Sequence, residues 1–138
     1  MMMAQTCQDK EWIVLNNHPV PLRCDLDDLP WLKIVNLEPQ VPTLGHCRNI
    51  LLGMASGEYM RVIDDDDSYA PWDVQTGLYL ISDSPAFKPR RSWWRCGFDF
   101  STGPRYELTA NALEASITWK TNFVKGIGFH TGNGDEWR

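Results

Sequence analysis

Four consecutive aspartates, Asp64, Asp65, Asp66 and Asp67, follow a short apolar run in the stretch GEYMRVIDDDDSYAPW. Adjacent carboxylates repel one another unless they lie open to water or share their charge with a cation. An Asp-x-Asp at the end of a buried strand offers oxygen ligands. These select a hard divalent ion such as Mg2+ or Mn2+, which can in turn bridge the phosphates of a nucleotide. The alternative is a solvated acidic turn. Elsewhere, KPRRSWWR (residues 88–95) mixes cations with two tryptophans, a combination that suits stacking on single-stranded nucleic acid, on a sugar ring, or within its own hairpin. His130, in a glycine-rich loop, is either a metal ligand or a surface residue. Ser101 and Ser116 lack the setting of a nucleophile elbow, and no phosphate-cradling G-x-x-x-x-G-K-[ST] loop is present.

The elements that must position these groups belong to one domain spanning residues 1–138, too short for two cores of ordinary size. With 43% hydrophobic and 22% charged residues the chain has the composition of a folded globular protein. Its net charge of −5 comes almost entirely from the aspartate run, which disfavours duplex nucleic acid as a partner. Cys7, Cys24, Cys47 and Cys96 stand far apart with no C-x-x-C pair, as expected of reduced thiols in a cytoplasmic protein. No apolar run approaches the roughly 20 residues of a membrane helix, and MMMAQTCQDK is not a signal peptide.

EWIVLNN (residues 11–17) and WLKIVNL (31–37) are short runs rich in strand formers and predict two buried strands. TLGHCRNILLGMASG predicts a helix, with Thr43 as N-cap, apolar residues at three- and four-residue steps, and Gly57 as a left-handed stop. EYMRVI is a third strand. Strand, strand, helix, strand with short links predicts an α/β fold with a mostly parallel sheet flanked by helices. In such a sheet ligands bind beyond the carboxyl ends of the strands, where the aspartates stand. WDVQTGLYLISDS reads as a helix weakened by Gly77, AFKPRRSWWRCGFDFSTGPRY as a loop followed by a strand or hairpin, and TNFVKGIGF as a short helix closing on glycine. ELTANALEASITW is ambiguous between strand and helix.

In order along the chain, QTCQDKEWIVLNN, CRNILLGMASGEYMRVIDDDDSYAP and GIGFHTGNGDEW resemble landmarks of the family 2 glycosyltransferases with the GT-A (Rossmann-like) fold. The middle segment carries most of the likeness: Arg48-Asn49, an apolar helix, Ala55, Gly57-Glu58-Tyr59, a strand, the acidic run, then Tyr69 and Pro71. The resemblance implies a metal-dependent, inverting transfer of a sugar from a UDP- or GDP-sugar donor to a hydroxyl of a glycan or other acceptor. It implies Mn2+ or Mg2+ at Asp64, Asp66 and Asp67, and donor contacts from Arg48, Asn49, Asp64 and Asp65. Within the acidic pair Asp135 and Glu136, it implies that Asp135 is the base. Family members carry a strand and helix upstream of QTCQDKEW, and an acidic turn where this chain has Asn16-Asn17-His18. The resemblance therefore also implies an open central strand position, and with it a homo-oligomer or a strand-donating partner. A catalytically inactive remnant, or a module that only binds sugar nucleotides, is the second reading. A metal-dependent phosphohydrolase using the same carboxylates is the third.

Overall fold

The computed structural model describes residues 2–25, 29–64, 67–99, 103–110 and 116–132. Within them the chain is mixed α/β. β1 (Trp12–Asn16) and β2 (Leu32–Asn36) pair in parallel, with Trp12 opposite Leu32 and Asn16 opposite Asn36. All five residues of β1 are only half-buried, so the expectation of a fully covered strand is not met.

α1 (Leu44–Met54) begins as its sequence predicts. Thr43 is extended, and its Oγ1 accepts the His46 N–H at 3.3 Å, satisfying one of the donors a helix start leaves without an intrahelical partner. Its end differs from expectation. The helix stops at Met54 with Ala55 extended, and the chain needs no left-handed Gly57. The donors beyond the helix are taken instead by Glu11, just ahead of β1. Its Oε1 accepts from Ser56 N at 2.6 Å, Gly57 N at 2.8 Å and Ser56 Oγ at 2.9 Å.

Glu11 makes the tie between these segments pH-dependent. Burial by itself pushes its carboxyl up, but the bonds from Ser56 and Gly57 and the charge of Lys125 outweigh that and hold it below the ordinary 4.5. Because the folded-state value is depressed, the stabilisation is complete above 4.5 and disappears as the pH falls through the depressed value. Urea unfolding of the native chain and of Glu11→Gln should therefore differ at neutral pH and converge in acid. A difference independent of pH would show that the charge of Glu11 is not what counts.

β3 (Tyr59–Arg61), β7 (Thr118–Lys120) and β4 (Ala86–Phe87) form a second sheet in the order β3-β7-β4, antiparallel throughout. β5 (Arg91–Asp99) and β6 (Gly103–Ala110) pair antiparallel, so of the two expectations, a strand or a hairpin, the hairpin is the one formed. The mostly parallel sheet is thus corrected: the one parallel pairing among the described residues is β1 with β2. The reason lies in the connection. A parallel neighbour for β3 needs a crossover that returns the chain to the start of the strand. Here α2 (Asp73–Ile81), β4 and the hairpin intervene, and β7 enters beside β3 from its far end.

The ambiguous stretch ELTANALEASITW resolves into the end of β6 and the start of β7, with residues 111–115 outside the described residues. Gly77, which weakened the helix reading, has a packing reason: a Cβ there would run into Thr118 Oγ1, so glycine lets α2 lie close against β7. α3 (Thr121–Ile127) follows β7 directly and closes as expected on Gly128, whose φ of 74° suits glycine.

The core forms where α1, β7 and α3 meet. Leu52, Trp119, Val124 and Phe129 are buried together, with Met60, Val62, Ala86 and Ile117 packed around them. Trp119 and Phe129 meet edge to face, their centroids 5.9 Å apart. Cys7, Cys24 and Cys47 are free thiols, while the side chain of Cys96 lies outside the described residues. Among the described residues no helix is long and apolar enough to cross a membrane.

Candidate functional site

Asp64 stands just beyond the carboxyl end of β3. Its main-chain N–H donates to the Tyr69 hydroxyl at 3.2 Å, and that hydroxyl donates to Asp67 Oδ2 at 3.3 Å. One phenol therefore spans the acidic turn, which also closes through Asp67 N to Asp64 O at 3.4 Å. Burial pushes the Tyr69 phenol well above its ordinary value; the Asp64 hydrogen bond opposes that and the charges of Asp67 and Asp64 add to it. The hydroxyl thus keeps its proton and remains a donor at neutral pH.

Beneath the ring lies Arg61, its guanidinium 5.6 Å from the Tyr69 centroid and its Nη2 2.6 Å from Asp73 Oδ2 in the first turn of α2. Burial lowers the arginine's pKa and raises that of Asp73, while the charge of each opposes the shift of the other. The pair ties α2 to β3 beside the acidic turn. Tyr69→Phe deprives the Asp64 N–H of its acceptor and Asp67 of a donor. It is expected to cost about 1 kcal/mol in urea unfolding, the worth of a typical hydrogen bond in a partly buried place. An unchanged midpoint would mean that the phenol does not hold the turn.

Arg48 approaches Asp64 from the other side. Its side chain is only 5% exposed, Nη2 lies 3.5 Å from Asp64 Oδ1, and the guanidinium sits 5.9 Å from the Phe129 ring centroid. Asn49, its neighbour on α1, clasps the same residue by both main-chain groups: Nδ2 donates to Phe129 O at 2.8 Å and Oδ1 accepts from Phe129 N at 2.7 Å. Thr43 Oγ1 donates to Thr131 O at 3.1 Å. Gly45 touches the His130 carbonyl so closely that a Cβ would collide with it. The segment leading toward the C-terminal acidic pair is thus laid along the first turns of α1, beside Asp64.

Of the expected site residues, Arg48, Asp64 and Asp67 are brought to one place, while Asn49, next to Arg48 on α1, spends its amide on the Phe129 main chain. Asp65, Asp66, Asp135 and Glu136 lie outside the described residues. Asn16 and Asn17 tie this strand end to other parts of the chain: Asn16 Nδ2 donates to Val20 O and Asn36 Oδ1, and Asn17 exchanges two bonds with the Val41 main chain. His130 is exposed, its Nδ1 accepting from Gly132 N. The side chains of Trp93 and Trp94 are not described, and Lys88 and Arg91 border the hairpin.

The sequence reading did not assign roles to Tyr69, Arg61, Asp73 or Glu11. Tyr69 carried a signal, standing five residues after Asp64. Arg61 and Asp73 carried none, because their pairing depends on how the intervening loop folds.

A cavity of about 400 Å³ opens beside Asp67, with Arg61, Tyr69, Asp73, Phe87 and Arg91 in its walls. Among the described residues no three carboxylates, histidines or cysteines gather to form a metal centre. Asp64 and Asp67 supply two anionic oxygen donors from one turn, and Asp64 keeps 40% of its side chain exposed despite Arg48. That donor set fits a hard divalent ion. Comparison of the chain with protein-family models, with curated proteins and with solved structures returns no match.

Proposed function

We propose that the chain transfers a sugar from a nucleotide-sugar to an acceptor hydroxyl, with inversion, in a GT-A-like site built on β3 and α1. The observation that supports this most is the convergence at Arg48 of the acidic turn, through Asp64, with the segment preceding Asp135, through Phe129. A donor site and a base drawn from distant parts of the chain need such a meeting point. Asp64, Asp66 and Asp67 would hold Mn2+ or Mg2+, and when bound the ion neutralises the charge that builds on the departing diphosphate.

The chain's own residues have separate tasks. Arg48 orients the Asp64 carboxylate, Tyr69 fixes the turn, and Asn49 with Gly45 holds residues 129–131 against α1. The Asp135 carboxylate takes the acceptor's hydroxyl proton as the acceptor oxygen bonds to the sugar's anomeric carbon. The bond from that carbon to the diphosphate oxygen breaks, leaving a nucleoside diphosphate. The cavity beside Asp67 is of a size that accommodates a sugar-sized molecule.

A second reading, a transferase-derived module that binds a sugar nucleotide without turnover, draws on the Asn16 and Asn17 side chains. Both are occupied by the chain itself, at a strand end where the family resemblance implies an acidic contact with the base.

Calorimetry with Mn2+ should give heat for the native chain and little for Asp66→Ala. Equal heats would return the run to a solvated turn. Incubation with Mn2+ and a panel of UDP- and GDP-sugars, with and without sugar acceptors, should release nucleotide in an acceptor-dependent way. Donor binding without release favours the module, and neither binding nor release ends the transferase reading.

A further inference from the structure

The three-stranded sheet has two unlike faces. Its pairing aligns Met60, Trp119 and Ala86 in one row and Arg61, Thr118 and Phe87 in the next. Successive side chains on a strand point to opposite faces. The first row joins the core with Leu52 of α1 and Val124 of α3, and the second lies on the other face, where α2 packs. Gly77 of α2 sits against Thr118, and a Cβ there would also come within 3.4 Å of Arg61 Nη1. That contact leaves part of the face unfilled. The cavity of about 400 Å³ is lined by Arg61 and Phe87 of the row and by Thr76, Gly77 and Leu80 of α2.

The register also decides what stands at the rim. β3 and β4 both run against β7, hence parallel to each other, and both end level with Thr118. The acidic turn therefore leaves the sheet at the end of β3, and residues 88–91 leave it at the end of β4, on the same edge and two strand spacings, about 10 Å, apart. Each segment sends one charged residue to the cavity, Asp67 from the first and Arg91 from the second. Arg61, the other arginine of the cavity, is 8% exposed and bound to Asp73. Arg91 is exposed, as are Lys88 and Arg90 beside it, and among the described residues no carboxylate pairs with it. The cavity is thus anionic at one rim and cationic at the other.

We infer that the cavity binds an acidic sugar, the acceptor of the proposed transfer, whose carboxylate or phosphate is held by Arg91. Its role as acceptor rests on that transfer; its binding in the cavity does not. The charges fix its direction. A guanidinium offers an oxyanion paired N–H donors, whereas Asp67 repels it. The oxyanion therefore lies at the Arg91 rim and a hydroxyl of the same ring points toward the acidic turn. Between the two rims, Phe87 and Leu80 offer apolar surface to the face of the ring. A neutral sugar would gain nothing from the charge of Arg91.

NMR titration of the full chain tests the binding, read at the amides of Ser68, Gly77 and Ser116, which line the cavity. The probes are methyl β-glucuronide, glucose 6-phosphate, the neutral methyl β-glucoside and inorganic phosphate. Metal is omitted so that it cannot capture the phosphate, and at about 0.15 M salt a screening length of about 8 Å limits the repulsion from Asp67. At least one acidic sugar should bind about tenfold or more tightly than the glucoside, and which one does so tells carboxylate from phosphate. Arg91→Gln should abolish the difference, and Arg91→Lys should restore part of it. The inference is overturned if the neutral sugar binds as tightly as both acids, if none binds, or if Arg91→Gln keeps the preference. It is overturned equally if inorganic phosphate matches glucose 6-phosphate, which would leave an anion site without a sugar, or if Arg91→Gln weakens affinity for the UDP- and GDP-sugars, which would place Arg91 on the donor. Nucleotide release separates this inference from the transfer itself. Release as fast with neutral acceptors as with acidic ones overturns the acidic acceptor and leaves the transferase, while Arg91-dependent binding without any release supports the acidic-sugar site and ends the transferase reading.

Discussion

Gly45→Ala is expected to destabilise the fold by about 3 kcal/mol and to disorder the site, although it adds a single methyl group to a helix. The position lies in the first turn of α1, and the added Cβ would meet the main-chain carbonyl of His130, which cannot swing aside as a flexible side chain would. Either α1 shifts or residues 129–131 leave its surface. The second course breaks the Asn49 clasp on Phe129 and pulls that ring from Trp119. A matched control stands on the same helix. Gly53 is exposed with nothing near its missing Cβ, so Gly53→Ala should stabilise by about 0.5–1 kcal/mol through helix propensity alone. Urea unfolding of the two variants should shift in opposite directions. If Gly45→Ala also stabilises, the segment 129–131 is not packed on α1, and the convergence that supports the proposed function is lost.

Asp135→Asn should have the largest effect on chemistry. As the general base of the proposed transfer it would act only while the acceptor's proton is in flight, so its removal should lower transfer by on the order of a hundredfold or more. Donor and metal affinity should stay near native. Asp66→Ala should instead weaken donor binding together with turnover, because in the proposed site its part is played through the metal. Single-turnover rates and calorimetric donor affinities for the two variants separate the roles. Equal loss of affinity in both would make Asp135 a binding or structural residue and leave the base to be found elsewhere.

Much of the local structure was legible in the chain because its causes are local. Thr43 caps α1 as its hydroxyl requires, Gly128 closes α3 with a positive φ, and the stretch rich in turn residues and aromatics, read as a loop followed by a strand or hairpin, forms a hairpin with Gly103 at φ 85°. Gly57 shows the limit of such signals. A glycine after a helix is a good stop, yet the helix ends earlier because Glu11, 46 residues away, takes its N–H. Gly77 shows the same limit from the other side: a residue that counts against a helix is kept because β7 lies too near for a side chain.

The existence of β1, β2 and β3 was likewise readable from composition and length, but β4 and β7 fell in stretches read as loop or left ambiguous, and strand direction was not readable at all. Whether β7 runs with or against β3 depends on the end at which the chain re-enters the sheet, and the intervening loop and hairpin decide that. By itself the sequence determined a folded α/β chain, its helix starts, and a run of carboxylates beyond β3 that lies open to water or shares its charge with a cation. Only the tertiary structure decided that Arg48 spans Asp64 and Phe129, that Tyr69 holds both described ends of the aspartate run, and that the Asn16 and Asn17 side chains are taken up by Val20, Asn36 and Val41. Those outcomes depend on contacts between residues far apart in sequence, whose geometry is set by packing and by the pairing of buried main-chain groups, and no short window of residues contains that information.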